Sequence, residues 1–263
     1  MSRRASPAPS RAPWLIGAGA LLLAAAFLAL GAWQVERRAW KHALIARVEA
    51  ALVAAPVPAP GPAAWAGIGP ADAYRRVTAE GDFLHDRETL VRATTELGSG
   101  YWVLTPLRTP GFTVLVNRGF VPPGRREPAT RPEPAPSGPV RVTGLLRLTE
   151  PGGGFLRDNR PAEGRWYSRD VAAIGAARAL PGPVAPRPLA PYFIDADPVP
   201  GRALPVGGLT VIRFADNHLI YALTWFGLAL LSLGGGWIAL RRRGDASGVD
   251  RGEAEGEGGG GKA

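Results

Sequence analysis

Two long apolar runs bracket this chain, and the stretch between them alternates. Ala12–Val35, APWLIGAGALLLAAAFLALGAWQV, is uncharged over about 24 residues. Asn217–Leu240, NHLIYALTWFGLALLSLGGGWIAL, is of similar length and holds one histidine, His218. As a helix each run would cross the roughly 30 Å of a bilayer's hydrocarbon with some tilt. The first is too long for a signal-peptide apolar region of about 7–15 residues and reads as an uncleaved anchor. Trp14 and Trp33 lie near the ends of the first run, and Tyr221, Trp225 and Trp237 near those of the second, where aromatic rings prefer the membrane interface.

Past the first run, Trp40, Leu44, Ile45, Val48 and Leu52 keep helical spacing along one face, with Arg38, Lys41 and Arg47 opposite. The helix therefore continues until PVPAPGP (56–62), whose prolines remove donors and favour extended backbone. From Tyr74 to Phe214 the period changes. YRRVTAEG, ETLVRAT, GYWVLTPL, FTVLVNRGFV, VRVTGLLRL, PYFIDAD and GLTVIRF are short β-like runs bounded by Gly, Pro and charged turns. FTVLVNRGF suggests a strand ending near Asn117-Arg118-Gly119, where glycine permits positive φ. SRDVAAIGAARAL suits a helix with Ser168 as N-cap and Asp170 in its first turn. PPGRREPATRPEPAPSGP (122–139) is expected to be an exposed loop without fixed structure, and the tail from Gly244 to be disordered.

The predicted fold class is an α+β membrane protein: two transmembrane helices flank a mostly antiparallel β domain, a small barrel or sandwich, with a helical insertion. The segments are an N-terminus (1–12), a first transmembrane helix (13–35), a juxtamembrane helix (36–55), a β-rich domain (56–216), a second transmembrane helix (217–240) and a basic, then disordered, tail (241–263).

The net charge of +9 raises nucleic acid as a partner, but the positive clusters adjoin the apolar runs: Arg3, Arg4 and Arg11 before the first, Arg241, Arg242 and Arg243 after the second. There they read as topology signals and lipid-headgroup contacts. No nucleic-acid motif accompanies them, and none is expected to be bound. Asp216 before the second run and three arginines after it place both termini in the cytoplasm, with the middle segment in the periplasm, or in the intermembrane space for a mitochondrial source. The absence of cysteine excludes disulfides, thiolate metal sites and covalent haem attachment through CxxCH in this chain. With three histidines, His42, His85 and His218, and no paired spacing, a histidine-rich zinc site within one chain is not expected.

Catalytic motifs are sparse. PGGGFLRDN lacks the Lys-Ser/Thr of a phosphate loop and reads as a flexible turn. Asp195 and Asp197 alternate with Ile194 and Ala196, as solvent-facing positions on a strand would. His85 sits at a predicted turn without a nucleophile in a recognisable elbow. His42 reads as an interfacial polar residue. The second span differs: His218, Tyr221, Ala222 and Trp225 fall at i, i+3, i+4 and i+7 and form one helical stripe. An imidazole there could ligate a haem iron with the porphyrin along the helix, or it could serve with the aromatics as an interfacial anchor. Residue chemistry alone leaves both readings open.

Three separated segments resemble the Surfeit locus protein 1 (Shy-type) family of cytochrome c oxidase assembly factors. They are LGAWQVERRAWKHALI (30–45), LVNRGFVP (115–122) and NHLIYALTWFGLAL (217–230), with YRRVTAEGDFLHDRE, WYSRDV and YFIDAD as further similar stretches. They come in family order and cover most of residues 13–240. In the third segment Asn217 immediately precedes His218, where the family pattern spaces the two by one residue. The resemblance implies a non-enzymatic inner-membrane factor, bacterial or mitochondrial, that helps place haem a in the catalytic subunit of a haem-copper oxidase. It further implies His218 as the iron ligand and a transiently bound haem a as cofactor, with Gly119 and Tyr74 as structural positions; with His218 in that role, Tyr221 and Trp225 on the same stripe are expected to pack against the porphyrin. Expected partners are that catalytic subunit, the enzymes of haem a synthesis, membrane lipid and a second copy of the chain. The alternatives are a cofactor-free scaffold for an oxidase subunit, and a membrane-tethered periplasmic enzyme.

Overall fold

A computed structural model describes residues 12–154, 156–201, 203–210 and 216–255. The chain forms two compact units, one joining the chain up to Leu44 with the chain from Phe214 onward, the other Ile45–Arg213.

The first unit is a pair of helices from α1 (Ala12–Val53) and α3 (His218–Glu255). Both contain stretches long and apolar enough to cross a membrane. Their packing follows a seven-residue repeat. On α1 the covered positions include Gly17, Ala20, Ala24, Phe27, Gly31, Gln34 and Arg38; on α3 they include His218, Ala222, Trp225, Ala229, Ser232, Gly236 and Ala239, with Ile16, Gly19, Phe226, Gly227 and Leu228 partly covered beside them. Spacings of three and four keep one seam facing the partner helix. Ala24, Ala222 and Ala229 are almost fully buried, and small side chains let helix backbones approach closely where no hydrophobic drive separates protein from lipid. A Cβ on Gly31 would come within 2.4 Å of the Phe226 ring, and one on Gly236 within 2.6 Å of the Ala20 Cβ, so the two helices run antiparallel. Phe27 stacks on Trp225 with centroids 5.6 Å apart. Away from the seam, Leu15, Leu22, Leu28, Leu223, Leu230 and Leu231 are exposed, as a lipid-facing surface requires. Arg37 lies 4.0 Å over the Trp40 ring and Arg241 4.3 Å over that of Trp237, cation–π contacts suited to interfacial arginines.

α3 continues to Glu255, past Gly244, where the sequence reading places the start of disorder. Extending an existing helix costs far less than nucleating one, so a polar segment can follow an apolar one into it. The rest of the tail, 256–263, and the first eleven residues lie outside the described residues.

Among the described residues the second unit is built on nine strands: β1 (Val57–Pro58), β2 (Arg76–Phe83), β3 (Thr89–Thr95), β4 (Gly98–Arg108), β5 (Thr113–Val121), β6 (Val140–Leu148), β7 (Gly153–Gly154), β8 (Arg157–Asp158) and β9 (Leu189–Ala196). Seven form one sheet in the order β1-β2-β6-β9-β5-β4-β3, and a further pairing of β2 with β4 closes five of them into a barrel. All neighbours in that ring are antiparallel except β5 and β9. Of the two expected architectures, this is the barrel. β7 and β8 form a separate short ladder. The strand expected in GLTVIRF falls largely on residues outside the described set.

Alternation assigns the faces. Val77, Leu107, Val114, Val116, Val142, Leu146, Tyr192 and Ile194 fill one cluster, the barrel interior. The Tyr192 hydroxyl donates to the Pro60 carbonyl at 2.8 Å, and burial pushes this phenol well above its usual pKa. Tyr192→Phe is expected to lower stability by about 1 kcal/mol, since it removes one of the two hydrogen bonds this carbonyl accepts and leaves only that from Trp65 Nε1 at 2.8 Å; urea unfolding of the detergent-solubilised chain measures it. Leu104, Leu115 and Phe193, from the other faces, pack with Val91, Trp166, Val171 and Ile174 in a second cluster under α2 (Val171–Ala177).

Local predictions in this unit need three corrections. The N-cap of α2 is Asp170, whose carboxylate accepts from the Ala173 N–H at 3.0 Å. Ser168, proposed for that role, is buried and receives a hydrogen bond from the Asn159 amide at 2.9 Å. β5 runs through Gly119 to Val121 because Gly119 takes φ 125° within the strand. The Pro-rich segment 122–139 is ordered by two 3-10 turns, Pro123–Arg125 and Pro128–Thr130, and by Arg131, whose guanidinium reaches the Glu88 carboxylate at 2.6 and 3.0 Å. That pair is more than nine-tenths buried, so it tethers the segment in a way an exposed ion pair would not.

Candidate functional site

The seam of the helix pair places an imidazole opposite an amide. His218 opens α3, and its Nδ1 lies 2.8 Å from Oε1 of Gln34 on α1. Both residues occupy seam positions of the repeat. The backbone N–H of His218 donates to Oδ1 of Asp216 at 3.2 Å, which satisfies one of the free donors at the helix start. Oδ2 of the same carboxylate accepts from His42 Nε2 at 2.6 Å and lies 3.6 Å from Arg38 Nε. The His42 hydrogen bond, with the Arg38 charge behind it, holds the Asp216 carboxyl below the usual carboxylate range. Gln34, Arg38 and His42 are each four residues apart, so they make a polar ladder along α1 that meets the start of α3. His42, an interfacial polar residue by its sequence position, is the far rung of this ladder.

The ring of His218 is half-buried. Its Nε2 makes no hydrogen bond among the described residues, whereas Nδ1 is engaged by Gln34. The four residues of the sequence stripe do not stay together. His218, Ala222 and Trp225 lie on the seam, and Trp225 is already stacked on Phe27. Tyr221 points off the seam and is 54% exposed. Gln34 was missed as a site residue, although it is the sole amide side chain in the first apolar run; an amide at membrane depth needs a polar partner.

The other candidates lie in the barrel unit and belong to its architecture. Asp195, expected to face solvent, is 5% exposed. It accepts from Asn117 Nδ2 at 2.7 Å, Arg147 Nη1 at 2.9 Å, Arg169 Nη1 at 3.2 Å and Thr210 Oγ1 at 3.0 Å. Alternation did send Asp195 to the outside of the barrel; the insertion bearing Arg169 then covers that face, which no strand pattern reveals. Arg169 also binds Glu150 through Nε at 3.0 Å. Burial works to raise the Glu150 carboxyl, but the hydrogen bonds and charge of Arg169 outweigh it and hold it below its usual value. Burial likewise opposes the Arg169 charge, and Glu150 with Asp195 more than compensates. Beside this cluster is a cleft of about 220 Å³ lined by Trp102, Asn117, Arg147, Arg169 and Thr210 among others. Asp197 pairs with Arg76. His85, in a 3-10 turn, places Nε2 2.9 Å from the Pro136 carbonyl oxygen. Among the described residues no group of three His, Asp or Glu is placed to hold a metal ion.

Comparison with known proteins agrees with the segments singled out above. The model of the SURF1 family matches residues 21–230. Surfeit locus protein 1 of Mus musculus is 36% identical over 229 residues, covering 79% of this chain and 70% of that one. The Homo sapiens protein of the same name is 36% identical over 231 residues, with 80% and 72% covered. A SURF1-like protein of Monosiga brevicollis is 36% identical over 234 residues, with 82% and 83% covered.

Proposed function

Because this chain belongs to the SURF1 family, we propose that it is a membrane-anchored assembly factor for a haem-copper terminal oxidase, and that it holds haem a through His218 on the way to the catalytic subunit. The observation carrying this reading is the state of the His218 ring. One nitrogen is engaged by an uncharged acceptor, the other has no hydrogen bond among the described residues, and the ring stands at the start of an apolar helix. That donor set fits a haem: a neutral imidazole bound at one nitrogen and oriented through the other is the usual form of an axial histidine. When bound, haem a would supply an iron centre, which His218 would hold through a ring nitrogen.

The protein's own residues do the rest. The seam fixes the His218 backbone against α1, Asp216 caps the helix that carries it, and the lipid-facing leucines keep the surroundings apolar. Tyr221, exposed beside His218 on α3, offers a ring to a flat apolar ligand. Trp225, stacked on Phe27, would support such a ligand from within the seam. A single imidazole grips reversibly, which suits transfer of a cofactor. The barrel would face the oxidase subunit on the periplasmic or intermembrane side, and no step calls for turnover of a substrate.

The test is the absorption spectrum of the detergent-solubilised protein purified from cells that make haem a. Wild type is expected to carry haem a, and His218→Ala to carry at least tenfold less at equal yield. Wild type without haem a, or a variant carrying as much, would leave a cofactor-free scaffold as the better reading.

A further inference from the structure

The contact between His218 and Gln34 has chemical direction. A neutral imidazole carries one proton and one lone pair, on different nitrogens. The partner at Nδ1 is the carbonyl oxygen of Gln34, at 2.8 Å. A carbonyl oxygen only accepts, so this geometry puts the proton on Nδ1 and the lone pair on Nε2, the nitrogen without a hydrogen bond among the described residues. The free ring in water favours the opposite tautomer, with the proton on Nε2.

From this we propose that Gln34 is a positioning residue for the haem site: it holds His218 as the Nδ1–H tautomer and aims the Nε2 lone pair away from the helix seam. The proposal rests on the reading of His218 as an iron ligand, yet its first consequence concerns the apo-protein alone. Three features support it. Gln34 and His218 occupy facing seam positions, so the hydrogen bond is fixed by helix register. Gln34 is half-buried on the seam, and its carbonyl oxygen meets His218 Nδ1 at 2.8 Å there. Asp216 holds the His218 backbone, so ring and amide are anchored from both sides. In metal sites of other proteins, removing the group that accepts from a ligating histidine typically weakens metal binding by about 10–100-fold.

The experiment uses the full-length chain in detergent, labelled with 15N-histidine, free of haem, at a pH where the spectrum shows neutral rings. Long-range proton–nitrogen correlations report which nitrogen of each ring carries hydrogen, and His218→Ala assigns the signal among three histidines. Wild type is expected to show His218 protonated at Nδ1. Gln34→Leu, close in size and apolar, should move the proton to Nε2, and Gln34→Glu, which keeps an acceptor, should restore Nδ1–H. A wild-type ring protonated at Nε2, or a tautomer indifferent to Gln34→Leu, overturns the proposal. On protein purified with haem a, the iron–imidazole stretching band of the reduced form should fall in Gln34→Leu and rise in Gln34→Glu, with haem content falling about tenfold or more in the leucine variant. An unmoved band overturns the role toward iron. If wild type holds no haem a while the tautomer behaves as stated, the haem reading fails and the Gln34 orientation of the ring stands.

Discussion

Asp195→Ala is expected to destabilise the barrel unit by about 3–5 kcal/mol. The carboxylate is almost inaccessible and takes hydrogen bonds from two guanidiniums, an amide and a hydroxyl. Removing it strands positive charge in a region from which water is largely excluded. Arg169 keeps Glu150, but Arg147 retains it only at 3.9 Å. Asn117 and Thr210 lose their acceptor as well. The loss is thus the penalty of the charges left behind rather than the worth of one contact. Guanidinium unfolding of the detergent-solubilised chain, followed through tryptophan fluorescence, measures it, with Trp166 buried near the cluster. A midpoint within about 1 kcal/mol of wild type would show that the network does not hold the insertion to the barrel. Asp195→Leu combined with Arg169→Leu should recover part of the loss, because apolar packing in place of a whole buried pair is often close to neutral.

Gly119→Ala is the second large effect, about 3–5 kcal/mol. Its φ of 125° lies where side-chain-bearing residues rarely go, a strain of about 1–3 kcal/mol by itself. A Cβ there would also sit 2.2 Å from the Val206 carbonyl oxygen and 2.3 Å from its carbon. These are backbone atoms, and they cannot swing aside as a side chain can. Phe120 and Val206 exchange two backbone hydrogen bonds of 2.9 Å across this close approach, and relief of the clash would break them at about 1 kcal/mol each. Gly111→Ala, with nothing within 4 Å and an ordinary φ, is the control expected to be neutral. Thermal unfolding of the three proteins decides, and equal midpoints for both variants would refute the steric argument.

What the sequence revealed and what it hid divide along physical lines. The membrane-capable helices and six strands of the sheet are legible because a period of two and an unbroken apolar run are local properties of the chain. Asp195 was assigned to the outer face of its strand and wrongly to solvent, because the covering residue, Arg169, arrives from an insertion 26 positions away. The prolines of 122–139 suggest an unstructured loop, yet one buried pair 43 residues apart orders it. In the helix pair, a stripe at i, i+3, i+4 and i+7 named four residues where the seam takes three and leaves Tyr221 outside. Only knowing that the partner helix repeats every seven residues separates them. Gln34 escaped notice for the same reason: its meaning depends on what stands opposite.

The hydrogen bond between Gln34 and His218 joins residues 184 positions apart, and this separation dictates a sequence of events during synthesis. The first apolar helix emerges with its amide unmatched, and the entire barrel must be made before the second helix appears. The cofactor grip proposed here therefore does not exist until translation is nearly complete. Under that proposal, a ribosome-stalled or prematurely ended chain would have an anchor and a barrel but would lack the histidine proposed to hold haem.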